Sequence, residues 1–357
     1  MGGIAMKAPQ VISKLNSTKI VHRNWQLALG EAFAALSLAS PGDVVCITGP
    51  SRAGKTKLIT ELVGLLCGEI DFERDGILPA VIVDAENTGP HGRFSTKAFT
   101  LKLHQAVRHP IYGVIGQEFS DGPANTKADR TNEPTLRFAL ENAFRLRKTR
   151  FLFVDEAQHV RYVSKDSQGG YAVMDSWKCM AKTCGLVLVV VGAYPILQVI
   201  GHSPHMIGRK SQIHLARYYA TDDDLAEFGK ILATYDQIIA DIATDRVLTQ
   251  SSEMLYHGSL GCIGLLRNWL GRAVARSHAT EKQLSPALLR EVMFSKADLA
   301  AISEEIYQGE KLFEPADAHS QSPRDRAMKV MPPKNKGKPF QRKPKRYAPG
   351  NRTEGHG

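Results

Sequence analysis

Four short apolar runs recur along the chain: DVVCITG at 43–49, PAVIVDA at 79–85, RFLFVDE at 150–156 and GLVLVVVGA at 185–193. None alternates polar with apolar residues as a half-solvated strand does, so each reads as a strand buried on both faces, the habit of parallel sheets. Between them apolar residues fall at helical spacing over Lys55–Cys67, about Thr96–Val107, Thr135–Arg147 behind Pro134, and Ala172–Thr183. A further helix, Arg23–Leu38, stops ahead of Pro41-Gly42 and is expected beside the loop that follows the first strand. With SQIHLA at 211–216 as a fifth strand, the alternation predicts an α/β fold: a parallel five-stranded sheet flanked by helices.

After Tyr219 the pattern changes. TDDDLAEFGKILATYDQIIADIA opens on an acid-rich cap and continues as a helical stripe, and helices follow near Ser251–Tyr256, Cys262–Ser277 and Ser285–Phe294. This predicts a small all-helical unit behind the sheet. The expected organisation is an N-terminal arm (1–22), an α/β domain (23–220), a helical lid (221–309) and a C-terminal tail (310–357). Residues 110–133 hold three Gly and two Pro with little periodicity, and a loop of that length is functional or disordered more often than inert.

Charge sharpens the picture once it is located. The chain of 357 residues has a formal net charge of +10. From Ser322 to Gly357 there are eleven Lys and Arg against Asp325 and Glu354, a net of +9, which leaves +1 for the rest. That segment is rich in Pro, Gly and Lys and poor in aliphatics, so it is expected to be disordered when free. It reads either as a solvated tail or as a contact for phosphates or an acidic protein. No apolar run approaches the ~18 residues of a membrane span, and the N-terminus lacks a signal-peptide core, so a cytoplasmic protein without membrane partners is expected. The five cysteines are scattered, as reduced packing residues are, and give no zinc spacing.

Two motifs carry chemistry. GPSRAGKT (Gly49, Pro50, Ser51, Arg52, Ala53, Gly54, Lys55, Thr56) fits G-x-x-x-x-G-K-[ST]. A loop that turns its N–H groups inward around phosphate oxygens needs glycines where a Cβ would obstruct it, and the helix behind it offers its positive end to the same anion. Lys55 is expected on the β and γ phosphates and Thr56 on Mg²⁺, with Lys57 beside them at the start of the helix. A strand before the motif and a helix after it supply the context a P-loop requires. RFLFVDEAQHV supplies the second half of the site. Asp155, at the end of a buried strand, would hold Mg²⁺, and Glu156 would polarise the water that attacks the γ-phosphate of ATP. A base at that position favours hydrolysis over binding alone.

A P-loop, an Asp-Glu pair on a later strand, the strand GLVLVVVGA and a helical lid resemble the AAA+ ATPases. Within them, GPSRAGKT, FLFVDEAQHV, GAYPIL, SQIHLARYYATDDDLAEF and HGSLGCIGLLRNWLGRAVARS resemble the TnsC/TniB regulators of DNA transposition, including those of CRISPR-associated transposons. The resemblance spans about residues 15–300. It implies a ring or helical filament of ATP-bound subunits on duplex DNA, gripped without sequence preference, that passes information from a target-selection protein to a transposase, with hydrolysis taking the assembly apart. It also implies an arginine reaching a neighbour's γ-phosphate, for which Arg217 matches best and Arg209 next; either is otherwise a surface ion pair. Arg267 falls where a sensor arginine could face the nucleotide, or else packs.

One departure stands out. Many AAA+ proteins place Asn or Thr at the tip of the fourth strand to position the attacking water, whereas this chain has Gly192-Ala193-Tyr194, so slow or partner-dependent hydrolysis is expected. Asp84, Glu86 or Asn87 could restrain Glu156, or simply cap their strand. Arg93, Lys97 and Lys102, after the second strand, and Lys127 and Arg130, in the long loop, are the candidate DNA contacts; each is otherwise a solvated charge. Two rivals remain open: a DNA-bound scaffold that uses ATP structurally with negligible turnover, and another AAA+ machine such as a helicase loader or a secretion-associated ATPase.

Overall fold

Apolar runs without a polar face must be covered on both sides, and this requirement shapes the molecule. The computed structural model describes residues 3–87, 92–113, 131–164, 168–200 and 210–313. Its strands are β1 (Val44–Thr48), β2 (Ala80–Asp84), β3 (Phe151–Asp155), β4 (Val187–Gly192) and β5 (Lys210–His214), all paired in parallel in the order β2-β3-β4-β1-β5. Successive residues face opposite layers. Cys46, Leu152, Val154, Leu188 and Val190 pack against one set of helices, while Val45, Ile47, Phe151, Phe153, Val189 and Val191 pack against the other.

The second set comprises α2 (Arg23–Leu38), with Trp25, Ala28, Ala32 and Leu36 inward, and α3 (Lys55–Cys67), with Leu58, Ile59 and Leu62 inward. The first comprises α4 (Thr96–Ala106), α5 (Glu133–Leu146) and α6 (Gln168–Cys184), which contribute Phe99, Leu103, Leu140, Phe144 and Trp177. Helix α5 starts two residues before the expected Thr135 because Asn132 caps it, accepting from the Thr135 N–H, with Pro134 in its first turn. In this order β4 separates β1 from β3. The carboxyl ends of the three strands therefore share one rim, where parallel α/β sheets form their crevice.

Behind the sheet lie α7 (Asp222–Ile239), α8 (Ser252–Ser259), α9 (Ile263–Thr280), α10 (Pro286–Glu291) and α11 (Lys296–Glu310). Thr221 caps α7, and Asp222, Asp223 and Asp224 fill its first turn, complementing the positive helix end. Phe228, Leu232, Trp269, Leu270 and Leu289 form the core of this helical unit. Two of its features differ from the sequence expectation. The segment expected as an arm is a helix, α1 (Gly3–Ser17), which buries Val11 and Leu15 in the same core and packs along α9. Helix α11 carries the fold through Glu310, and a turn at Lys311–Phe313 continues it, past the expected start of the tail. The expected tail from 314 onward lies outside the described residues. Among those described, no helix is long and apolar enough to cross a membrane.

Candidate active site

The P-loop leaves β1 at Thr48 and enters α3 at Lys55, and its two glycines act for different reasons. Gly54 takes φ +95, where a Cβ is unfavourable. Gly49 is required by proximity: a Cβ there would stand 2.4 Å from the Leu215 carbonyl oxygen behind β5. Arg52 also has positive φ, +63, at the exposed crest of the loop. Lys55 is 6% exposed, and its Nζ donates to the Gly49 and Pro50 carbonyls at 3.1 and 2.8 Å. Burial pushes its pKa down, opposed by the negative charges of Glu156 and Asp155. A buried ammonium at a helix N-terminus is chemically matched to an anion.

Asp155 comes from the end of β3. Its carboxylate accepts from the Thr56 hydroxyl at 2.5 Å and from the Glu156 N–H at 2.8 Å. Burial raises its pKa, which the Thr56 and Glu156 hydrogen bonds oppose. A buried carboxylate beside a hydroxyl is the hard-oxygen donor set that fits Mg²⁺. Glu156 has φ +52 and ψ +29, a left-handed conformation uncommon for this residue type and met at functional sites. The chain then turns through a 3₁₀ segment, Ala157–Tyr162, in which His159 Nδ1 lies 2.9 Å from the Ala85 carbonyl oxygen and ties the turn to the end of β2.

The sequence placed α2 beside the P-loop, and the structure opens a pocket there whose other walls the sequence did not indicate. It is bounded by Ile20, His22 and Trp25 ahead of and within α2, by Gly54 of the P-loop, and by Tyr235 and Ile263 of the helical unit. Apolar and aromatic walls next to a phosphate loop suit a planar base. His22 caps α2, accepting at Nδ1 from the Trp25 N–H, and burial lowers its pKa to about 4. The cap residue ahead of a tryptophan was the available signal. Arg267 lines the same pocket, and its guanidinium donates to the Leu15 carbonyl at 2.9 Å, which gives it a packing contact with α1. Lys57 is exposed on the pocket wall.

The lid meets the loop directly. A Cβ on Gly264 would fall 1.5 Å from the Arg52 carbonyl oxygen, and one on Gly261 2.0 Å from that of Tyr218, so both glycines of the GCIG stretch permit close approach. Helix α11 completes this side. Glu305 accepts from the Ser51 hydroxyl at 3.3 Å, and Glu310 accepts from Arg217 Nε and Nη2 at 2.8 and 3.1 Å. Arg217 also donates to the Leu260 carbonyl and lies over the Tyr219 ring.

The remaining candidates are dispersed. Arg93 is exposed ahead of α4 and Lys97 is in its first turn, while Lys102 is paired with Glu86. Lys127, Arg130 and Arg209 lie outside the described residues. Asp84 is exposed at the end of β2, and the Asn87 side-chain oxygen is buried without a hydrogen-bond partner.

Residues 39–200 match the family model of the AAA domain. Among curated protein sequences none matches the chain. Among solved structures, the Walker-type ATPase PABY2304 of Pyrococcus abyssi is similar over 80% of this chain and 74% of its own, at 12% identity and a TM-score of 0.47. The ORC2 protein of Aeropyrum pernix, in its ADPNP–ADP complexes, is similar over 79% and 66%, at 18% identity and 0.49. Cdc6p of Pyrobaculum aerophilum is similar over 82% and 73%, at 16% identity and 0.47. The parallel sheet and the P-loop leading from β1 into α3 give the chain an AAA+ P-loop fold, with residues 39–200 similar to the AAA domain.

Proposed function

We propose that the protein hydrolyses ATP in the crevice between β1 and β3 and uses the nucleotide to govern its own assembly. The observation that carries this reading is the meeting of Lys55, Thr56, Asp155 and Glu156 at one rim, with an apolar pocket beside them. Lys55 and the P-loop N–H groups would hold the phosphates, and Trp25 and Tyr235 would border the base. Mg²⁺, held by Thr56 and Asp155, would supply charge neutralisation for the γ-phosphate. Glu156 would take a proton from water as the water oxygen bonds to the γ-phosphorus. The bond from that phosphorus to the bridging oxygen breaks, and its electron pair leaves with ADP.

The finer reading, a regulator that assembles on duplex DNA and recruits a transposase, is supported by the sequence resemblance in the DEAQH, RYY and GCIGLLR stretches. Another AAA+ machine would share every feature of the nucleotide site. The site itself is tested by two variants. Lys55→Ala should abolish binding of a fluorescent ATP analogue. Glu156→Gln should bind it with parental affinity and lose turnover by about two orders of magnitude, the size of a general-base contribution. Parental turnover in Glu156→Gln would remove Glu156 from the mechanism.

A further inference from the structure

Gln158 follows the acidic pair by two residues, and the left-handed backbone of Glu156 folds it back over the site. Its side chain is buried, 8% exposed, and bonded at both ends. Oε1 accepts from the Ala193 N–H at 3.1 Å, just beyond the tip of β4, and Nε2 donates to Glu156 Oε2. The amide can face only one way. The backbone N–H of Ala193 is solely a donor, so it requires the carbonyl oxygen, and this turns the NH₂ group toward the carboxylate. Among the described residues no other side chain is hydrogen-bonded to the Glu156 carboxylate, although Asp84, Glu86 and Asn87 end the neighbouring strand. Gly192 makes the arrangement possible, since a Cβ there would lie 2.3 Å from Gln158 Oε1. The missing polar residue at the tip of β4 thus has a physical reason: the space is filled by a polar group arriving from β3.

We propose that Gln158 is the positioning residue for the general base, holding one oxygen of Glu156 against the frame of β4 so that the other is presented to the attacking water. The inference rests on the hydrolytic reading of the site. A carboxylate at the end of a side chain with free torsions samples many orientations, and orientation accounts for much of what a positioned base contributes. Tethering it through an amide to a backbone N–H of the sheet removes that freedom without making Gln158 a participant in proton transfer.

The test uses the full-length protein with Mg²⁺ and ATP, and the variants Gln158→Met, close in volume but without the amide, and Gly192→Ala, which evicts the amide while leaving it in the chain. The expected result is a kcat lower by about tenfold or more in each, with KM and the dissociation constant of a fluorescent ATP analogue within about twofold of the parent. The double variant should be little worse than either single one, because both break the same contact. Hydrogen exchange at the Ala193 amide, measured without nucleotide, should accelerate in Gln158→Met. Parental kcat in Gln158→Met, with turnover in the parent intact, would overturn this inference and leave the hydrolytic reading standing. A loss of nucleotide binding in step with turnover would also overturn it, as a merely structural role. A parent that binds ATP without hydrolysing it overturns both.

Discussion

Asp155 illustrates how a buried carboxylate opposes the stability of its own fold. Burial raises its pKa above the ordinary 3.8, so the native state holds that proton more tightly than the unfolded chain does. The sign follows from linkage: stability on this account is greatest below the unfolded value and falls as the pH rises through the folded one. At neutral pH without nucleotide, Asp155→Asn should therefore melt higher than the parent, with the difference vanishing toward pH 3. The same variant should lose Mg²⁺-dependent nucleotide binding. Thermal melts across pH check it, and identical melting temperatures at every pH would show that the buried charge carries no such cost. At this scale the sequence pointed to Lys55, Thr56 and Asp155, which the fold brings to one rim, because each belongs to a contiguous motif. It could not reveal the bond from Gln158 to Ala193, which joins residues 35 positions apart, nor the pocket beside the P-loop, whose walls come from α2, the P-loop, α7 and α9.

Strands β1, β3 and β4, buried on both faces, were legible as elements, since continuous apolar runs have few other uses. Strand β2, read the same way, lies at the sheet edge and leaves Ile82 and Asp84 exposed. Helices α1 and α11 were not legible. In α1 the buried residues Val11 and Leu15 are few in a short stretch that carries Pro9, which reads as a helix breaker; in α11 only Ile306 and Gly309 are buried. Yet α11 sets the state of the expected trans-acting arginine. Gly309 lies against the Tyr194 ring, where a Cβ would come within 2.0 Å, and Phe313 stacks on His214 at 4.2 Å. These contacts hold Glu310 in a two-point ion pair with Arg217. A partly buried pair of this kind costs desolvation and stabilises little in total, but it fixes where the guanidinium points. If Arg217 reaches a neighbouring subunit's γ-phosphate, Glu310 competes for it. Glu310→Gln should then lower the protein concentration needed for ATP-dependent self-association by about tenfold, a shift near 1.4 kcal/mol, while Arg217→Ala abolishes association. Sedimentation in ATP and ADP distinguishes the outcomes, and an unchanged concentration dependence in Glu310→Gln would separate this ion pair from assembly.

For the whole molecule the distribution of charge decides which experiment is informative. The segment after Ser322 holds +9 of the net +10, so a DNA interaction carried by the tail and one carried by the folded part must respond differently to salt and to nucleotide. Contacts to phosphate release counterions, so a basic tail alone gives binding that weakens steeply with salt and ignores the nucleotide. An assembly joined through ATP would bind as a unit and respond to the γ-phosphate. The expectation is that the full chain forms rings or filaments on duplex DNA with ATP or a non-hydrolysable analogue and not with ADP. A chain truncated after Ser322 should keep that nucleotide dependence while its affinity falls and its salt dependence becomes shallower. Negative-stain imaging and a salt titration of binding read the two effects separately. Assemblies indifferent to nucleotide would sink the link between the proposed ATP site and DNA.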